Sequence, residues 1–115
     1  MKVEVVNKRS YTGNDAHYVG RPTVLGNPFT VKEYGHNVCI DMYKVWLIDQ
    51  IKRETPVLKK LQELSVWLRH NQHIKLMCWC SPKPCHADVI AAVLIDMTNN
   101  SIGYKPESIP ILEPL

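Results

Sequence analysis

Residues 73–98, HIKLMCWCSPKPCHADVIAAVLIDMT, constrain the fold more than any other segment of this chain. HIKLMCWC at 73–80 predicts a β-strand, and the apolar residues from Val89 to Ile95 predict a well-buried helix from about Cys85 to Thr98. Only SPKP separates the two elements. A strand that leads so directly into an apolar helix is typical of an α/β protein.

The remaining elements agree with that fold class. KVEVV at 2–6 alternates and is rich in β-branched residues, which predicts a strand. The glycines and prolines of residues 18–31 favour a structured loop. Helical periodicity predicts one helix from about His36 to Thr55 and a second from Pro56 to Asn71. We therefore expect one α/β domain over residues 1–100, followed by an extended, proline-containing strap over residues 101–115.

Composition limits the classes of partner. The 115 residues include 45% hydrophobic side chains, and the net charge of +3 is too small for a dedicated duplex-binding protein. We find no apolar run long enough for a membrane helix and no export signal at the N-terminus, so we expect a cytoplasmic protein with no membrane partner. Because cytoplasmic thiols stay reduced, the four cysteines indicate metal binding or chemistry before disulfides.

Three cysteines and a histidine are concentrated in the strand-to-helix segment, and three interpretations stay open. Cys78, Cys80, Cys85 and His86 are suitable zinc ligands, although their spacing differs from the usual zinc motifs. Alternatively, Cys80 or Cys85 is a reactive thiol with His86 as a nearby base or hydrogen-bond donor, or with another histidine such as His17 or His36 as its partner. In the third interpretation the cysteines only fill a buried junction, which is the ordinary role of Cys78.

The N-terminus of the third predicted helix favours binding of an anion, whichever role the cysteines have. A helix N-terminus carries partial positive charge and unpaired N–H donors, so it lowers the pKa of a thiol there and attracts phosphate. Lys83 adds a positive charge, and Ser81 is a possible cap for the helix. Both residues are therefore candidate ligand contacts.

The loop YVGRPTVLGNPF at 18–29 is the second concentration of special residues. Gly20 and Gly26 permit close approach of a ligand or of backbone. Arg21 is constrained between Gly20 and Pro22, and its guanidinium suits phosphate or carboxylate. The amide of Asn27 both donates and accepts hydrogen bonds. We predict that these five residues contribute to ligand binding.

Taken together, GRPTVLGNPF at 20–29, the helical residues Tyr43, Trp46 and Leu47, and LMCWCSPKPCHADVIA at 76–91 resemble an uncharacterised domain-of-unknown-function family of small phage and bacterial proteins. Its signature is GRPxxLGNPF followed by CxCxPxxCHxD. The resemblance covers roughly residues 18–95. It implies a small Rossmann-like, three-layer α/β domain with a short, mostly parallel sheet and about three helices. It also implies a set of shared positions, namely Gly20, Arg21, Pro22, Gly26, Asn27, Pro28, Cys78, Cys80, Pro82, Cys85, His86 and Asp88.

The leading hypothesis is binding of a small phosphate-bearing ligand, such as a nucleotide, a signal nucleotide or an ADP-ribose-like compound. Arg21 and its loop would hold the ligand against the helix that begins at Cys85 and His86. If the protein is an enzyme, we expect hydrolysis or transfer on a nucleotide-derived substrate through Cys80 or Cys85. This hypothesis needs no cofactor. The alternative is a zinc-stabilised module that binds nucleic acid or protein.

Overall fold

The computed structural model describes residues 1–80 and 85–100. The predicted strap at 101–115 and the SPKP connection lie outside these residues. The described part is a mixed α/β fold of three strands and four helices, in the order β1 (Lys2–Asn7), β2 (His17–Tyr18), α1 (Val31–Tyr34), α2 (His36–Lys52), α3 (Pro56–Asn71), β3 (His73–Cys78) and α4 (His86–Asn99).

The strands form one parallel sheet in the order β1-β3-β2, which confirms the expected parallel pairing. Within β3, Ile74, Leu76 and Cys78 are buried and the alternate residues are half-buried. Helices α3 and α4 contact both the sheet and each other, so they lie on the same face of it, and α2 packs on both helices. These contacts give a sheet layer and a helical layer, and they do not confirm the third layer that we predicted.

Local sequence signals account for most of the helix ends. Pro56 occupies the first turn of α3, and the Thr55 hydroxyl accepts a hydrogen bond from the Val57 N–H, as in many helix N-termini. The apolar side of α3 faces the core at Leu61, Leu64 and Leu68. Helix α2 ends at Lys52, three residues before the expected Thr55.

Three details differ from the predictions. Helix α1 was not expected; it is a single turn that ends at Gly35, whose φ of +82° suits glycine. Strand β3 ends at Cys78, so alternation along a strand does not fix the direction of the Cys80 side chain. Tyr18, the first residue of the expected loop, lies in strand β2; on the helices, Trp67 is 44% exposed, whereas Trp46 packs against the core.

Among the described residues, none of the helices combines the length and apolar composition needed to cross a lipid bilayer.

Candidate functional site

The two unusual segments of the sequence meet in one cleft at the carboxyl ends of the parallel strands, where ligands bind in many open α/β sheets. The main chain holds this edge together, because the Lys8 N–H donates to the Cys78 carbonyl (2.8 Å) and the Val19 N–H to the Met77 carbonyl (3.0 Å). The cleft has a volume of about 110 Å³ and is lined by Gly20, Arg21, Asn27, Phe29, Val31, His36, Cys39, Ile40, Trp79, Cys80, Cys85 and His86.

Arg21 is an exposed, positively charged residue that lines this cleft. Within residues 1–80 and 85–100 no carboxylate forms an ion pair with its guanidinium. Its main chain is fixed from two sides. The Tyr18 hydroxyl donates to the Arg21 carbonyl at 2.7 Å, and a Cβ on Gly26 would lie 2.9 Å from the Arg21 nitrogen and Cα. Because Gly26 has no side chain, the Arg21 main chain can pack directly against it. Gly26 itself is not a lining residue of the cleft.

The other predicted residues of this loop have mainly structural contacts. Pro22 is exposed, follows a cis peptide bond and is not a lining residue. Asn27 lines the cleft, but its Nδ2 donates to the Cys39 carbonyl (3.3 Å) and its Oδ1 accepts from the Phe29 N–H (2.9 Å). Its amide thus fixes the loop to α2, which differs from the expected role in ligand recognition.

His86 fixes the same loop from the other side. Its Nε2 lies 2.8 Å from the carbonyl of Val19; since a carbonyl only accepts, Nε2 carries the proton and donates. Burial lowers the pKa of His86, and the positive charge of Arg21 lowers it further. The ring is therefore a neutral anchor, and Nε2 does not serve as a base for Cys85.

Tyr43 of α2 supplies a parallel anchor. Its buried hydroxyl donates to the carbonyl of Leu25 at 2.7 Å, and its ring meets the His86 ring edge-on with centroids 5.1 Å apart. Burial raises the pKa of Tyr43. The segment from Val19 to Leu25, which carries Arg21, is thus held at both ends by buried side chains from two helices.

Cys85 is the N-cap of α4, a role that we had considered for Ser81. Its Sγ accepts from the Ala87 N–H (3.4 Å), and the Asp88 carboxylate accepts from the Cys85 N–H (2.9 Å), which completes a capping box. These N–H groups are therefore already paired with protein atoms. This pairing argues against the expected docking of an anion on the helix N-terminus.

The thiol of Cys85 also differs from the expected reactive one. Its Sγ lies 3.1 Å from that of buried Cys78. The hydrogen bond with Cys78, followed by burial, raises the pKa of the Cys85 thiol, whereas the helix N-terminus alone predicted a lowered pKa. Cys80 is half-buried and lines the cleft, so it is the more accessible of the two predicted thiols.

The rim of the cleft contains residues that our sequence analysis missed. Trp79 is 50% exposed and its indole Nε1–H donates to the Tyr18 hydroxyl at 3.0 Å. Lys8 Nζ and Arg9 Cζ lie 5.8 Å and 5.6 Å from the centroid of the Trp79 ring. The sequence feature that could have indicated Trp79 is its position between Cys78 and Cys80, directly after strand β3.

A second polar cluster lies on a different surface. The Tyr11 hydroxyl donates to the Asp15 carboxylate, and Lys75 Nζ donates to both at 3.0 Å. These hydrogen bonds lower the pKa of Asp15 to about 2 and raise that of Lys75. A stable ion pair results, which fixes the loop before β2 to the sheet.

The described residues give little support to a metal centre. In residues 1–80 and 85–100, no three side chains of His, Cys, Asp or Glu are grouped so that they could hold a metal ion. The zinc alternative with Cys78, Cys80, Cys85 and His86 stays a prediction. Ser81 and Lys83, also predicted ligand contacts, lie outside the described residues.

Comparison with known proteins gives one match. A family model described as "Domain of unknown function (DUF4326)" matches residues 4–96, which is most of the chain. No curated protein and no solved structure shows a significant match. The expectation that the chain belongs to a family of unknown function is confirmed.

Proposed function

We propose that this chain, which belongs to the DUF4326 family, binds a small phosphate-bearing ligand, a nucleotide or an ADP-ribose-like compound, in the cleft beside Arg21. The observation that carries the proposal is an exposed arginine that has no ion pair among the described residues and whose main chain is held rigidly at the mouth of a cleft. A guanidinium forms charge-assisted, bidentate hydrogen bonds with phosphate, and a fixed main chain removes the backbone part of the entropy cost of binding.

Two further features support an anionic ligand. Lys8 and Arg9 follow β1 and lie near Trp79 at the same rim. The cleft opens beyond the carboxyl ends of the parallel strands, and in this proposal the sheet works as it does in Rossmann-like folds. Cations from two separate loops thus meet at one ligand-binding edge, which favours a charged phosphate over a neutral ligand.

The proposed activity is binding without a nucleophilic step at Cys85. The raised pKa of this thiol leaves it protonated near neutral pH, and a protonated thiol is a poor nucleophile. The Nε2 of His86 donates to the Val19 carbonyl, so this nitrogen is not the base that would take the Cys85 proton. Of the predicted catalytic residues, Cys80 is the one whose accessibility suits contact with a bound ligand.

Isothermal titration with AMP, ADP-ribose and ribose 5-phosphate tests this proposal. We expect at least one of these probes to bind, and the variant Arg21→Ala to weaken that binding by about tenfold or more, the effect of losing charge-assisted hydrogen bonds. Arg69→Ala is the matched control. Arg69 is an exposed arginine in the last turn of α3, which precedes the amino end of β3 and thus lies at the opposite end of the sheet.

Both variants lose one positive charge, so a general electrostatic effect would weaken binding equally in the two. Equal weakening, or the absence of binding of all three probes to the unmodified protein, would refute the proposal. Thermal unfolding of each variant, followed by circular dichroism, separates a loss of binding from a loss of the fold.

A further inference from the structure

The size of the cleft sets the starting point for a more specific inference. Its volume is about 110 Å³, whereas pockets that enclose a drug-sized ligand measure roughly 300–1,000 Å³. A whole nucleotide therefore does not fit inside. If the phosphate end is held near Arg21, as the proposed function requires, the other end of the ligand extends over the rim.

Trp79 is an exposed aromatic side chain at that rim. It lines the cleft and remains 50% exposed. Single exposed aromatic residues are common and need no function. Trp79 differs because it is fixed: its indole N–H donates to Tyr18, and its main-chain carbonyl accepts from the Asn7 side chain at 3.2 Å. A fixed indole loses little conformational entropy when a second ring stacks on it.

Hydrogen bonds connect Trp79 to the residue that is proposed to bind the phosphate. Tyr18 links the two parts of the site, since its hydroxyl accepts from the Trp79 indole and donates to the Arg21 carbonyl. Lys8 Nζ lies 4.9 Å from the centroid of the Tyr18 ring. Two consecutive hydrogen bonds thus connect the Trp79 indole to the main chain of Arg21, whose guanidinium is proposed to bind the phosphate.

From this arrangement, and resting on the proposed function, we propose that the ligand carries an aromatic base and that Trp79 is the platform on which the base stacks. The ligand class is then a free nucleoside phosphate rather than a sugar phosphate or inorganic phosphate. Stacking of a base on an aromatic side chain contributes enough to lower affinity by about fivefold or more when the side chain is removed.

The test compares AMP with ribose 5-phosphate, which has the same sugar and phosphate but no base. We expect the unmodified protein to bind AMP at least about fivefold more tightly. Trp79→Ala should abolish this difference, because AMP loses the stacking contact that ribose 5-phosphate never makes, whereas Trp79→Phe should retain part of it. Trp67→Ala, which removes the exposed tryptophan of α3, is the control and should preserve the difference.

The possible failures are distinguishable. If AMP and ribose 5-phosphate bind the unmodified protein equally, Trp79 does not recognise a base, and this inference fails while the proposed function stands. If Trp79→Ala weakens both probes by the same factor, the tryptophan only supports the cleft, which also overturns the inference. An adenosine trinucleotide that binds much more tightly than AMP would indicate a nucleic-acid strand instead of a free nucleotide. If none of the probes binds, the proposed function itself fails.

Discussion

Replacing Tyr43 with Phe removes one atom and tests whether the Arg21 loop is anchored from the core. The Tyr43 hydroxyl is buried and donates to the Leu25 carbonyl at 2.7 Å. In Tyr43→Phe the ring still packs against Trp46 and His86, so the main change is a buried carbonyl that loses its donor. Such a loss costs about 1–3 kcal/mol. For a domain of this size we expect the melting temperature to fall by about 4–15 °C.

Thermal unfolding followed by circular dichroism measures this effect, with Tyr34→Phe as the control. Tyr34 is an exposed residue of α1, and its substitution removes the same atom from a side chain that retains solvent around it. We expect a change below about 0.5 kcal/mol for the control. Because Arg21 lies between the two anchored carbonyls, Tyr43→Phe should also weaken AMP binding, although Tyr43 does not line the cleft. A melting temperature equal to that of Tyr34→Phe would refute the anchoring argument.

Two further predictions follow from the same loop. The pKa of His86 is lowered in the folded state. Between this lowered pKa and about 6.5, the pKa of an unperturbed histidine, the unfolded chain therefore binds more protons than the folded protein. The contribution of His86 to folding stability is thus fully present above about pH 6.5 and is lost as the pH falls below it. Urea unfolding between pH 8 and pH 5 should show that the free energy of unfolding falls less steeply with decreasing pH in His86→Gln than in the unmodified protein. An unchanged pH dependence would contradict this prediction. We assign the remaining decrease to His17, whose pKa is also lowered by burial. Gly26→Ala places a Cβ 2.9 Å from main-chain atoms of Arg21, so we expect the free energy of unfolding to fall by about 1–3 kcal/mol and AMP binding to weaken. If stability and affinity equal those of the unmodified protein, the loop adapts to the added methyl group and this prediction is wrong.

Local patterns predicted the elements better than their arrangement. Pro56 divides two helices because its ring is compatible with a first turn and not with a helix interior, and the apolar content of α4 predicted its burial correctly. Helix α1 escaped prediction because a single turn leaves no periodicity. The three-layer arrangement stays a prediction, since it depends on which sheet face each helix covers, and no local signal in α2 specifies that.

At the site, the roles predicted for the candidate residues stay predictions, and the structure adds contacts that the sequence did not indicate. His86 was predicted as a base or hydrogen-bond donor near Cys85, and its Nε2 has as its partner Val19, which is 67 positions away in the sequence. Likewise, the thiol pKa of Cys85 depends on its contact with Cys78 more than on the helix N-terminus. The first case depends on a hydrogen bond between distant segments and the second on a contact between two cysteines of one motif, and residue spacing alone reveals neither.

The contacts of the two motifs indicate why they occur together in one chain. His86, from the cysteine-containing motif, and Tyr43, from α2, each donate to a carbonyl of the glycine-proline loop. Buried donors of this kind are used up by the fold and are not available to a ligand. The side chains that remain exposed at the cleft, Arg21 and Trp79 among them, are therefore the ones that the proposed recognition would use. On this argument the contact of His86 with Val19 serves to hold the Arg21 loop, and the proposed ligand should be sought by its charge and its aromatic ring rather than by its reactivity toward thiols.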